Sequence, residues 1–141
     1  MKLRAACHAD ISQLHALYEM LSVDAAIGGA QQIARVLDHP GTHILVACVD
    51  ARVFAMITVH ILPNVTWSGR PYALIENVVT HKNERGQGYG RALLQHAIDT
   101  CEHAGVYKIM LLTGRHRSAR GFYEKLGFSK DEKWGMTKRF S

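Results

Sequence analysis

Little in this chain points to cross-linking, to a metal or to a membrane. Its three cysteines, Cys7, Cys48 and Cys101, are odd in number and far apart, which argues against a disulfide framework and against a zinc site. Each stands among apolar neighbours, so all three are expected to be buried, reduced thiols. Histidines number nine, yet none is arranged as a metalloprotease-style His-x-x-x-His pair with its carboxylate. His8 and His15, like His96 and His103, stand two helical turns apart, too far to share an ion. No metal site is expected. No apolar run approaches the ~20 residues that span a bilayer. The start Met1–Cys7 is positive, but His8 and Asp10 interrupt any signal-peptide core. A cytoplasmic protein with no membrane partner is the expectation.

What is present is ordinary globular material. Hydrophobic residues make up 48% and charged residues 21% of 141 positions, enough for one domain over residues 1–141 with its own core. The formal charge is +5, from 17 basic against 12 acidic residues. That balance would steer an anionic ligand towards a positive cleft. No reading helix or aromatic–basic interleaving accompanies it, so nucleic acid is not expected as a partner.

The most informative stretch is Ala73–Thr80, an apolar strand, followed by His81-Lys82-Asn83-Glu84 and then Arg85-Gly86-Gln87-Gly88-Tyr89-Gly90-Arg91. A helix over Arg91–Cys101 follows at once, because Leu94, Ala97, Ile98 and Cys101 recur at the helical period. Gly105 stands where such a helix would stop. Glycines ahead of a helix leave backbone N–H groups uncovered, and those donors with the helix dipole form an anion site. Arg85 and Arg91 add positive charge. The spacing is not that of a P-loop, and the third glycine comes too early for a dinucleotide fingerprint.

The pattern Arg85-x-x-Gly88-x-Gly90 resembles the acyl-CoA pyrophosphate loop of the GCN5-related N-acetyltransferases (GNAT). Phe122-Tyr123-Glu124-Lys125-Leu126-Gly127-Phe128 matches a second signature of that family, in the expected order. The resemblance is best from Ile75 to Phe128. It implies an α/β fold of the mixed-sheet kind, flanked by helices, with two parallel strands, Ala73–Thr80 and Tyr107–Leu112, splayed apart at one end. Acetyl-CoA would be the cosubstrate. Its thioester would lie in the split, its pantetheine amides would pair with backbone around Val78, Val79 and Thr80, and its pyrophosphate would sit on the amides of Gly86 to Arg91.

The rest of the chain fits that order. Lys2–Cys7 reads as a strand. Ile11, Leu14, Leu17, Tyr18 and Leu21 mark a helix with Asp10 at its positive end. Ala30, Ile33, Ala34 and Leu37 mark a second, ended by Pro40-Gly41. His43–Val49 and Val53–Leu62 form a hairpin across Asp50-Ala51-Arg52. Ser118 can cap a helix bearing Ala119, Phe122, Tyr123 and Leu126. Alternation of Trp134, Met136, Lys138 and Phe140 with Gly135, Thr137 and Arg139 predicts a half-buried last strand. Trp134 and Phe140 are also candidates for the seam of a homodimer.

Acetyl transfer to an amine needs no covalent enzyme intermediate. The protein must align the reactants, take the amine's proton, stabilise the oxyanion and reprotonate the thiolate. By resemblance, Tyr123 is the acid for the departing thiolate; a core aromatic is the alternative. Glu76 lies mid-strand in an apolar context, where a carboxylate is costly without a function or a partner. It is read as the base, directly or through water, or as a clamp on the acceptor ammonium, with a structural salt bridge as the competitor. Asn77 would face the other way in a regular strand. Where the family often carries a pantetheine-contacting asparagine, this chain has His116. The stretches Ile75–Thr80 and Tyr107–Leu111 look most like the glucosamine-6-phosphate N-acetyltransferase branch. A small-molecule amine such as an amino sugar phosphate is therefore the expected acceptor. A non-catalytic CoA-binding module and a protein N-acetyltransferase are the alternatives.

Overall fold

Three long, largely apolar runs and two short strands assemble into a sheet of order β1-β2-β3-β4-β5. The computed structural model describes residues 1–22, 24–115 and 119–141, which divide into two compact units, Met1–Leu111 and Leu112–Ser141.

In the first unit, β1 (Lys2–Ala5), β2 (Thr42–Val49), β3 (Arg52–Leu62) and β4 (Tyr72–Thr80) pair antiparallel in succession. The expected hairpin joins β2 to β3, with Asp50 taking the left-handed turn conformation at φ 52°. β5 (Ile109–Leu111) then adds parallel to β4. A short helical turn, α3 (Thr66–Gly69), stands between β3 and β4. A parallel neighbour requires a crossover, and α4 (Tyr89–His103) supplies it. It stops at Gly105, φ 76°, where the Val106 N–H reaches back to the Cys101 carbonyl at 3.0 Å.

Helices cover both faces. α1 (Ile11–Leu21) and α2 (Ala30–Asp38) lay Leu14, Leu17 and Ile33 against Ile44, Val46 and Cys48 of β2, Val53 and Met56 of β3, and Val79 of β4. Each fully buried leucine of this layer is worth roughly 2 kcal/mol of transfer free energy. On the opposite face α4 buries Leu93, Leu94, Ala97 and Cys101. Burial raises the Cys101 thiol to about 11, so it stays protonated and inert at neutral pH. Cys48 is buried as well. Cys7 is not: it opens the turn before α1, and its side chain is exposed.

Three further expectations change. Asp10 does more than face the start of α1: it is buried in a short 3-10 turn, His8–Asp10, where Arg4 grips it with Nη1 at 2.7 Å and Nη2 at 2.9 Å. The strand expected over Tyr107–Leu112 is only Ile109–Leu111; ahead of it the Lys108 carbonyl still accepts from the Ala73 N–H of β4 at 3.0 Å, while the Tyr107 N–H donates to Pro71, which precedes β4. The helix α4 begins at Tyr89, ahead of its apolar stripe, because the N-cap is Gly88.

The second unit contains α5 (Arg120–Glu124), shorter than the apolar spacing implied, with Tyr123 in edge contact with Phe122 and Phe128. The proposed Ser118 cap lies outside the described residues. No strand forms over Trp134–Phe140, where Trp134 and Met136 are each 91% exposed and Phe140 85%. Alternation makes a strand only where another strand completes its hydrogen bonds, and no described residue does so here.

Candidate active site

β4 is the strand around which the site is built, and its two halves differ. Ala73, Leu74 and Ile75 pair with both neighbours: β3 on one side and Ile109, Met110 and Leu111 on the other. From Glu76 to Thr80 the β5 side has no strand partner among the described residues. Apart from the Thr80 carbonyl, which accepts from Arg85, that edge carries no strand of the described residues and is open to an extended ligand, the arrangement that a pantetheine chain requires.

The same half is not a regular strand. Between the rungs Met56↔Val79 and Thr58↔Glu76, Asn77 and Val78 together stand opposite the single residue Ile57. Asn77 takes φ 54°, a left-handed conformation rare for a side-chain-bearing residue. This is a β-bulge, a device that bends a strand and re-aims its side chains. It returns Val79 to the Met56 face of the core and cancels the simple alternation expected for Asn77. Glu76 is exposed, so the burial penalty anticipated from its apolar neighbours does not arise. Nor does it form an ion pair with any described residue.

Beyond Thr80 a 3-10 turn, Lys82–Glu84, leads into the glycine turn. Gly86 and Gly88 hold φ 78° and 85°, and an added Cβ would meet nothing within 4 Å at either. Glycine serves the backbone there rather than a tight fit. Residues 85–88 are exposed. The first internal bond of α4 runs from the Ala92 N–H to the Gly88 carbonyl at 3.0 Å. The amides of Tyr89, Gly90 and Arg91 therefore point out of the helix start without helical acceptors. The Arg85 Nε–H donates to the Thr80 carbonyl at 3.3 Å, tying its guanidinium to the end of β4. Donors, dipole and charge thus converge on one open turn, and their chemistry fits a diphosphate.

A clasp not foreseen from the sequence braces this turn at both ends. Arg52 lies over the Phe54 ring at 4.9 Å, and Phe54 stacks on Tyr89 with centroids 5.3 Å apart and planes 9° from parallel. Arg52 also reaches Glu84 at 3.5 Å. Glu84 precedes the glycine turn and Tyr89 follows it, so both shoulders are fixed to the start of β3. Phe54 gains this position from a register irregularity, in which Ala47 pairs with Ala55 but Cys48 with Val53. Residue spacing alone carried no signal of it.

Val78, Val79 and Thr80 thus lie along the unpaired half of β4, leading towards the turn of Arg85 to Arg91. Tyr123 belongs to the second unit, half-buried among its own aromatics. His116 lies outside the described residues. Among the described residues no group of three or more potential metal-ligating side chains occurs, and no helix is long and apolar enough to cross a membrane.

Comparison with known proteins gives a consistent picture. The model of the acetyltransferase (GNAT) family matches residues 7–128. A glucosamine 6-phosphate N-acetyltransferase of Trypanosoma brucei brucei is 34% identical over 82 residues, covering 58% of this chain. The chain spans about half of that relative's length, 54%. Among solved structures, an inferred acetyltransferase from Agrobacterium tumefaciens str. C58 superimposes with TM-score 0.91 at 40% identity, over 99% of this chain and 100% of the other. A transcriptional regulator from Bacillus halodurans C-125 follows with TM-score 0.86 at 26% identity, each chain covered to 99%.

Proposed function

The chain belongs to the acetyltransferase (GNAT) family, and from that premise we propose that it moves the acetyl group of acetyl-CoA to the primary amine of a small molecule, by direct attack within a ternary complex. The observation that carries this reading is the unpaired second half of β4 running into an exposed turn of unpaired amides. The turn from Arg85 to Arg91 holds the pyrophosphate, and backbone along Val78, Val79 and Thr80 pairs with the pantetheine amides. An N–H near Val78 polarises the thioester carbonyl. Glu76 takes the amine's proton or clamps its ammonium, with Asn77 beside it at the bulge. Tyr123 supplies the proton for the thiolate, and His116 takes the place of the pantetheine-contacting asparagine.

For the acceptor we favour an amino sugar phosphate such as glucosamine 6-phosphate. The trypanosomal relative bears that activity in its name, and the net charge of +5 suits a phosphorylated amine. The deciding measurement is release of CoA thiol from acetyl-CoA over amino sugars, aminophosphonates, polyamines and amino acids. Turnover with glucosamine 6-phosphate alone is expected; turnover confined to another class removes that acceptor, and acetyl-CoA binding with no release from any amine removes the catalytic reading. Tyr123→Phe is expected to lower kcat at least tenfold. The exposed Trp134, Met136 and Phe140 support a homodimer, which sedimentation at micromolar concentration would detect.

A further inference from the structure

The bulged half of β4 faces a polar group with nothing to bond. Thr58 is 1% exposed, and its hydroxyl has no hydrogen-bond partner among the described residues. Buried hydroxyls rarely stay so, because the unmade bond is costly, and one that persists calls for a reason. The register shows what surrounds it. Thr58 stands opposite Ile44 on β2 and opposite Glu76 on β4. Met56 and His60 flank it along its own strand and share its face. Ile44 and Met56 are apolar, and the Nδ1 of His60 is already shared with the Thr42 hydroxyl at 2.9 Å. The remaining polar neighbour in register is the Glu76 carboxylate.

Residues directly opposite on antiparallel strands share a face, with Cβ atoms about 5 Å apart. Two oxygens in that relation, one buried and one solvent-facing, suit a single water between them, since a bridging water needs at least two polar partners. We propose that the Thr58 hydroxyl and the Glu76 carboxylate hold one water between them, and that this water carries the proton from the acceptor's ammonium to Glu76. Thr58 is then a positioning residue, acting through the water. The inference rests on the acetyl-transfer reading above.

The step balances as follows. The ammonium gives one proton to the water as the water gives one to the carboxylate, leaving a neutral amine, an unchanged water and a protonated Glu76. The amine nitrogen forms its bond to the thioester carbonyl carbon, and the carbon–sulfur bond breaks. The second nitrogen proton leaves as the amide forms, and the thiolate is protonated to CoA thiol. Glu76, exposed, returns its proton to solvent. The bulge contributes by keeping Glu76 on the Thr58 face while the strand bends away beyond it.

Thr58→Val keeps the shape and deletes the hydroxyl, and Thr58→Ser keeps the hydroxyl. With the whole chain and the best amine of the panel, Thr58→Val is expected to lower kcat about tenfold. The KM for acetyl-CoA should stay the same and the melting temperature equal or higher. Thr58→Ser should restore most of the rate. Equal kcat in wild type and Thr58→Val overturns the proposal. A crystal structure of the wild-type protein at high resolution tests the water independently of turnover. A water within hydrogen-bond distance of both Thr58 Oγ1 and a Glu76 oxygen supports the proposal; a Thr58 hydroxyl bonded only to protein, or packed dry, overturns it. Failure of every amine to react would instead remove the acetyl-transfer reading, and the relay with it, whatever the crystal shows at Thr58.

Discussion

Two carboxylates in the first unit occupy opposite situations. Asp10, in the corner between β1 and α1, is buried and fully answered: both guanidinium nitrogens of Arg4 bond it, and the Cys7 N–H adds a third contact at 2.8 Å. Its hydrogen bond from Arg4, above all, holds its pKa down at about 2, against an ordinary 3.8. Glu76, beside the bulge of β4, is exposed and has no ion pair with any described residue. A buried charge with both oxygens bonded from within the protein has little left to offer a substrate and serves the fold. An exposed carboxylate beside an unbonded hydroxyl and a bent strand has both capacity and access. Geometry, rather than residue type, separates an acid closed within the fold from one left open to a substrate.

Substitution should separate the two sites in kind. The largest effect is expected at the corner. Asp10→Ala strands the Arg4 charge and should cost about 3 kcal/mol of stability, read by urea unfolding, while enzyme that remains folded keeps its kcat. Glu76→Gln should do the reverse, lowering kcat about a hundredfold with no change in the unfolding midpoint. Loss of stability at Glu76, or loss of kcat at Asp10, would break the contrast.

Acid should sharpen it. Because the folded pKa of Asp10 lies below its ordinary value, its contribution is complete above about pH 4 and is lost as pH falls towards 2. The shift amounts to on the order of 2 kcal/mol. Unfolding curves at pH 5, 3 and 2 should show that loss in the wild type and lack it in Asp10→Asn. The smallest effect belongs to the turn. Gly88→Ala meets no atom within 4 Å but must adopt φ 85°, a strain of about 1 kcal/mol. It should raise the KM for acetyl-CoA several-fold and leave kcat near wild type.

Much of the site's location was legible in order and spacing. The strand–turn–glycine–helix succession from Ala73 to Cys101 follows from local rules: apolar runs, glycine conformations and helical periodicity act over a few residues, and α4 and β4 stand where those rules put them. The hairpin from His43 to Leu62 is of the same kind. Less legible were features that depend on a partner strand. The apolar alternation of Trp134–Phe140 is compatible with a strand, but none forms. Tyr107 and Lys108 looked as strand-like as Ile109, yet the strand begins only at Ile109, since the Tyr107 N–H meets Pro71, which lies ahead of β4.

From the sequence alone come the family, the sheet-and-helix order and the turn whose glycines free its amides, because each is encoded by neighbours within a turn or two of the chain. Tertiary structure alone decided that Glu76 faces solvent, that the Thr58 hydroxyl is buried without a partner among the described residues, and that Phe54 braces Tyr89. All three follow from strand register, and register is set by how whole strands bury their faces against the helices, a constraint no short stretch contains.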